Sequence, residues 1–315
     1  MPSRRDSLML LDSASLYFRA FHGVPDSVTA PDGTPVNAVR GFLDSVAFLL
    51  TTHRPTRLVA CWDDDWRPAF RVQALPSYKA HRVGPDGGED APSALLPQVD
   101  VIVDVLTALG LARVGAPGYE ADDVIATLAV RPARTGGDPG DPVDVVTGDR
   151  DLFQLVDDTT GVRVLYCGKG VRKAEAVTQD WLLARYAVPT GAAYADMAVL
   201  RGDPSDGLPG VPGIGEKTAA ALITRYGDLP ALLAAADDPA GGLTPAQRTK
   251  LTAARDYLAA APVVVQTVRD VPLPDLDDTL PAAPADPGRL DALAERWGLR
   301  SSVDRVLSAL AAVPD

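Results

Sequence analysis

Cysteine is nearly missing from this sequence: Cys61 and Cys167 are the two in 315 residues. They do not form a metal-spacing pair, and each stands in an apolar, strand-like run, so buried free thiols in a reducing cytoplasm are the expectation. Long apolar runs are missing as well. None approaches the roughly 18 residues that a membrane span needs, and Leu8-Met9-Leu10-Leu11, cut off at Asp12, is too short for a signal peptide. Positive charge is in deficit: 30 Lys and Arg face 42 Asp and Glu, a net −12. That balance, taken as a sum, speaks against a nucleic-acid partner. No internal repeat is visible.

What is present is an ordinary globular chain, 46% hydrophobic and long enough for one large domain or two smaller ones. Its charge is not uniform. Between Trp66 and Pro85 stand Arg67, Arg71, Lys79, His81 and Arg82 with no acid among them; a solvated loop explains this as well as a phosphate-binding arm does. The pattern predicts strands over 8–11, 58–62, 111–114, 143–147 and 162–166. Helices are expected after Ser13 as a cap, over 36–50 and 95–109, and from about Tyr119 to Val130. Residues 131–142 read as a Gly/Pro/Asp-rich loop. Strands alternating with helices imply an α/β fold with a mostly parallel central sheet flanked by helices. Ligands of such sheets bind beyond the carboxyl ends of the strands, where Asp12, Asp63 and Asp149 stand. One strand-end aspartate is ordinarily a turn former or a helix cap; three sharing one rim suggest a site.

The densest acidity is Gly118-Tyr119-Glu120-Ala121-Asp122-Asp123, which opens the fourth of these helices. A helix N-terminus favours one acid or two, but three beside an apolar run repel one another unless a cation holds them. From Thr178 onward only helices are expected, over 178–186, 192–200, 216–226, 229–235, 245–260, 289–297 and 303–311. The segment 263–268 reads as extended, and 270–287 as an irregular connection. In this half, Gly202-Asp203-Pro204-Ser205-Asp206-Gly207 sets two more acids in a turn. Gly210-Val211-Pro212-Gly213-Ile214-Gly215-Glu216-Lys217-Thr218-Ala219 follows, a glycine-rich turn opening a helix. It suits an anion but lacks the Walker spacing, and a helix–hairpin–helix on a DNA backbone needs the same features.

In this order, these motifs resemble the 5′–3′ exonuclease and flap endonuclease family, and most of all the 5′-nuclease domain of bacterial DNA polymerase I. The resemblance runs from about Leu8 to Tyr226, carried by Asp12 with Arg19-Ala20-Phe21-His22, Asp63 with Phe70-Arg71, Tyr78-Lys79 and Arg82, Glu120-Ala121-Asp122-Asp123, Thr147-Gly148-Asp149-Arg150-Asp151, and Gly202 to Ala219. It implies a PIN-like or resolvase-like α/β nuclease domain over 1–175, with a helical arch at about 66–95. A helical DNA-binding region over 176–315 would follow, with a helix–hairpin–helix at about 192–226.

The resemblance also implies two divalent ions, Mg²⁺ or Mn²⁺, which suit hard oxygen ligands. Asp12, Asp63, Glu120 and Asp122 would hold the first. Asp149, Asp151 and Asp203 would hold the second, with Asp206 and Asp123 placing ligands or waters. Two such ions activate water and stabilise the leaving oxygen of a phosphodiester. Arg71, Lys79 and Arg82 would draw the scissile phosphate in, Tyr78 would stack on a base, and Arg19 would reach a phosphate. Gly213, Gly215, Lys217 and Thr218 would hold duplex backbone, with a monovalent cation at the hairpin. The implied partner is DNA, as 5′ ends, flaps, and branched or nicked duplex, bound by a monomer away from membranes. Three departures bear on substrate preference: Gly207 stands where relatives usually carry Asn, Arg40 where an aromatic is common, and Asp64 and Asp65 add acids beside Asp63. No polymerase region follows within these residues, which suits a free-standing nuclease. A PIN-like RNA nuclease and a DNA-structure-binding protein that no longer cleaves are the rival readings.

Overall fold

Leu8 and Leu10 face one side of the first strand and Met9 and Leu11 the other, and all four are buried. A strand buried on both faces belongs in the middle of a sheet, and this one does. The computed structural model describes residues 6–85, 87–131 and 141–312; of the expected loop 131–142, residues 132–140 lie outside the described residues. The first part of the chain runs β1 (Leu8–Asp12), α1 (Ser13–Gly23), α2 (Asn37–His53), β2 (Arg57–Cys61), α3 (Ala69–Ala74), α4 (Leu96–Leu109), β3 (Ala112–Val114), α5 (Ala121–Val130), β4 (Val143–Thr147), β5 (Val162–Tyr166) and β6 (Glu175–Val177). The strands form one sheet in the order β3-β2-β1-β4-β5-β6. All neighbours are parallel except β5 and β6. The order reverses between β1 and β4, so their carboxyl ends open the crevice where such sheets take ligands.

The helical part continues with α6 (Gln179–Tyr186), α7 (Gly191–Arg201), α8 (Glu216–Tyr226), α9 (Leu229–Asp237), α10 (Pro245–Ala253), α11 (Arg255–Val265), α12 (Pro287–Arg296) and α13 (Arg300–Ala311). No described helix is long and apolar enough to cross a membrane. The two sheet faces bury different partners. Leu8, Leu10, Val59 and Val145 pack with α5 and with α6 to α11, whereas Met9, Leu11, Leu58 and Val146 pack with α2, α4, α12 and α13. The last two helices therefore return to the sheet face that α2 and α4 cover. Arg57 grips Asp278 through two hydrogen bonds, and Arg305 reaches Asp44.

Several expectations are corrected by these neighbours. Asp12, not Ser13, caps α1, accepting from the Ser15 N–H at 3.0 Å. Residues 245–260 form two helices, because the chain turns at buried Ala254, and 263–265 are helical rather than extended. In the segment 66–95, expected as a helical arch, the described residues form the six-residue α3, one 3-10 turn at Ala80–Arg82, and a bridge between Val83 and Glu89. We call it the gateway. Strand β6, three residues long, carries no sequence signal and pairs only because β5 presents its edge.

Candidate active site

The crevice between β1 and β4 is held by a hydroxyl. Thr147 Oγ1 donates to Asp12 Oδ2 at 2.6 Å and accepts from the Asp149 N–H at 2.8 Å, tying the two strand-end acids together. Thr147 stands in the motif that runs to Asp151, but no role was expected of it; it is fully buried at the strand end, which makes it a support rather than a ligand. Asp149 Oδ1 accepts from the Asp151 N–H at 2.9 Å. On the next strand, Asp63 Oδ1 accepts the Ala121 N–H at 2.7 Å, so this strand-end acid holds the first turn of α5. Glu120 is the N-cap of that helix, which begins at Ala121. Asp12, Asp63, Glu120, Asp122, Asp149, Asp151 and Asp203 line one groove of about 960 Å³, together with Arg19, Lys79 and Arg82. Asp206 lines a smaller recess with Arg71, Tyr78 and Arg201.

The gateway carries cations onto these acids. Lys79 Nζ pairs with Glu120, and Arg82 Nη2 pairs with Asp206 Oδ1 at 2.6 Å. Arg71 is 2% exposed; it pairs with Glu120 and binds Asp123 through two bonds of 2.8 and 2.6 Å, while its Nε donates to the Val264 carbonyl at 3.2 Å. Arg19 bridges two loops, donating to the Gly148 and Gly168 carbonyls at 3.0 and 3.2 Å.

Three placements depart from the roles expected of them. Asp123 is fully buried and lines neither the groove nor the recess. Besides Arg71 it accepts from the Glu120 and Val268 N–H groups, so it is an internal anchor and not a holder of waters. Tyr78 is 4% exposed with its hydroxyl 2.9 Å from both Glu120 oxygens, leaving no ring face for a base. Arg71 points inward and meets acids rather than a phosphate. The capping box of α5 accounts for the inward turn of Arg71: Asp123 reaches back to the Glu120 N–H, and one guanidinium joins the two acids.

Among the described residues, no three acidic, histidine or cysteine side chains converge as a finished ligand set. The carboxylates are held apart by Lys79, Arg71, Arg82, Thr147 and the Ala121 amide. The donor chemistry nevertheless fits hard divalent cations, since carboxylate oxygens dominate the groove lining, which holds one imidazole, His22, and no thiol. Its acids carry the strain of this crowding. Burial, with repulsion from Asp149, pushes Asp12 up to about 6, and burial pushes Asp63 up to about 7. Burial also lifts Asp122 and Asp151 well above the carboxylate range. Burial would lower the Lys79 ammonium, but Glu120 beside it raises it well above its ordinary value.

The sign of the pH effect follows. Between the ordinary aspartate value and 6–7, the folded protein holds more protons on Asp12 and Asp63 than the unfolded chain does. Stability in chelator is therefore greatest on the acid side of that window and falls as pH rises through it. The melting temperature in EDTA is expected to drop between pH 5 and pH 8, and Asp63→Asn to flatten the slope. A melting temperature that climbs steadily over this range would refute it.

A second cationic feature lies outside the groove, on the turn between α7 and α8. Gly213 takes φ 76°, and Gly215 caps α8 without a side-chain bond. Lys217 and Thr218 are exposed in the first turn. Lys217 shares a groove of about 540 Å³ with Arg185 and Arg225. Lys250, from α10, donates to the Gly213 carbonyl at 2.9 Å. Its ammonium thus sits on one of the carbonyls open to the expected monovalent cation. Nothing in the local sequence marks Lys250, because 37 residues separate the partners.

Comparisons with known proteins agree along the chain. Residues 7–187 match the family model described as the 5′-3′ exonuclease N-terminal resolvase-like domain, and residues 189–287 match its C-terminal SAM fold. A 5′-3′ exonuclease of Streptomyces coelicolor is 61% identical over 310 residues, covering 96% of this chain and 100% of that protein. One of Mycobacterium tuberculosis is 53% identical over 322 residues, covering 98% and 99%. DNA polymerase I of Mycobacterium tuberculosis is 40% identical over 309 residues, which are 98% of this chain and 32% of the polymerase. Two solved structures share the fold: T5 5′-exonuclease with bound zinc, at TM-score 0.64, 18% identity and 98% and 99% coverage, and the catalytic core of Rad2 with DNA substrate, at 0.59, 16%, and 98% and 95%.

Proposed function

Because this chain belongs to the 5′-3′ exonuclease family, we propose that it is a metal-dependent nuclease that cuts DNA from 5′ ends and also at 5′ flaps. The observation that carries this reading is the groove in which eight acids, Glu89 of the gateway among them, share one surface with Lys79 and Arg82. A protein that only bound DNA would gain nothing from acids facing its phosphates.

In this reading Asp12, Asp63, Glu120 and Asp122 hold one divalent ion, and Asp149, Asp151 and Asp203 another, with Asp206 beside them. Bound ions of this kind supply activation of water and charge stabilisation at the leaving oxygen. The chain's own cations do the rest. Lys79 and Arg82 now balance Glu120 and Asp206. With ions bound to those carboxylates, the ammonium and guanidinium would be free to face the scissile phosphate, where negative charge accumulates. Arg71 stays behind, holding Glu120 and Asp123 in place.

The turn between α7 and α8 then acts as a hairpin on duplex backbone, through Gly213, Gly215, Lys217 and Thr218. Lys217→Ala is expected to weaken duplex binding and to reduce the slope of log K against log salt by about 0.9, one phosphate contact. An unchanged slope in a binding titration from low to moderate salt would remove Lys217 from the interface.

Incubation of the purified protein with a 5′-labelled flap duplex and Mg²⁺ tests the whole reading. Nicked duplex, blunt duplex and single-stranded RNA are run beside it. Cutting of the DNA substrates near the branch or 5′ end, stopped by EDTA, is the expected result. Binding without cutting would leave a DNA-structure-binding protein, and preference for the RNA strand a PIN-like ribonuclease.

A further inference from the structure

The gateway does not hang free over the groove. Its base rests on the short loop that carries Asp203 and Asp206. Ser77 Oγ donates to the Gly207 carbonyl at 2.7 Å, and the Lys79 N–H donates to the Asp206 carbonyl at 3.0 Å. Arg82 Nη2 donates to the Ser205 carbonyl at 2.9 Å and to Asp206 Oδ1 at 2.6 Å. The partners are more than 120 residues apart in sequence. The loop beneath is closed on itself. Asp203 and Leu208 exchange N–H···O bonds of 3.0 and 2.8 Å, and Asp203 accepts from the Ser205 N–H at 2.8 Å.

Contact this close depends on one missing atom. Gly207 sits at φ 77°, and a Cβ there would collide with the Ser77 carbonyl oxygen and come within 3.6 Å of the Lys79 nitrogen. The obstacle is backbone, so it cannot rotate aside. With the backbone placed as it is here, any side chain at 207 lifts the gateway from its support, and most, Asn least among them, also strain the left-handed conformation.

We propose that Gly207 is the seat of the gateway, a positioning residue that sets Lys79 and Arg82 in register with Asp203 and Asp206. It touches no substrate and acts through the segment 77–82. The seat also joins the gateway to the loop before the hairpin, since Gly210 and α8 follow directly. The catalytic consequence rests on the nuclease reading above; the structural one does not.

Gly207→Ala tests it by amide hydrogen exchange and by steady-state cleavage of a 5′-flap duplex. Exchange over 77–82 is expected to quicken about tenfold, as the Lys79 amide loses its partner, while the β1 amides keep their protection. In cleavage, kcat falls about tenfold with KM held within about twofold, because Lys79 and Arg82 are misplaced while duplex contacts remain. Ser77→Ala, which removes one bond and adds no atoms, gives a smaller change in the same direction. Unchanged exchange over 77–82 overturns the proposal, as does faster exchange that spreads to β1, or a rise in KM at constant kcat. If the wild type fails to cut the flap, the nuclease reading falls, and the exchange result still decides the seat.

Discussion

Arg71→Ala is expected to lower stability by about 3–5 kcal/mol, the cost of breaking a buried charge network from one side. The guanidinium is 2% exposed and is shared by Glu120 and Asp123, themselves buried. Removing it leaves Asp123 buried with backbone N–H partners and no cation, facing a Glu120 held by Lys79 and Tyr78 alone. It also frees the Val264 carbonyl at the end of α11, so α3, α5 and α11 lose their common tie. Arg71→Lys is not a rescue, because an ammonium cannot make the two parallel bonds that Asp123 now receives. Urea unfolding monitored by tryptophan fluorescence measures the loss. A change below about 1 kcal/mol would mean that the network relaxes or takes in water, and Arg71 would then be free for the phosphate role first expected of it.

Asp149→Ala is expected to reduce cleavage roughly a thousandfold while leaving fold and DNA binding nearly intact. Asp149 is well suited to separate chemistry from structure. Its carboxylate is exposed, and its only side-chain bond among the described residues is to the Asp151 N–H two residues on. Asp12 would serve poorly, since it also caps α1 and joins Thr147. Single-turnover cleavage of a labelled flap in Mg²⁺, with binding measured in Ca²⁺, reads the two effects apart. Near wild-type turnover would remove Asp149 from the metal assignment, and a loss of binding equal to the loss of rate would make it a DNA contact.

Much of the architecture was legible because it rests on local pattern. The buried runs at Leu8, Leu58 and Val143 predict central strands, and the acids after them fall where the sheet reverses. What was missed depends on distant partners. Tyr78 and Arg71 carry types that suit a phosphate site, and their position between α5 and α11 turned them inward. Lys250 belongs to the α7–α8 turn only through a carbonyl 37 residues away, and Ala254 breaks a helix without any breaking residue.

Sequence by itself therefore determined which acids this protein owns and along which rim they stand, since periodicity and strand ends are properties of a few neighbouring residues. Only the tertiary structure decided which of them face the groove and which are spent on internal cations. That outcome is set by burial and by charge pairs across 40 to 130 residues of chain: Asp122 and Asp149 open to the groove, Asp123 closed on Arg71, and a gateway seated on Gly207. An isolated carboxylate costs too much to bury alone, so each one takes the cation or the solvent that the fold brings to it, and no local spacing records that choice.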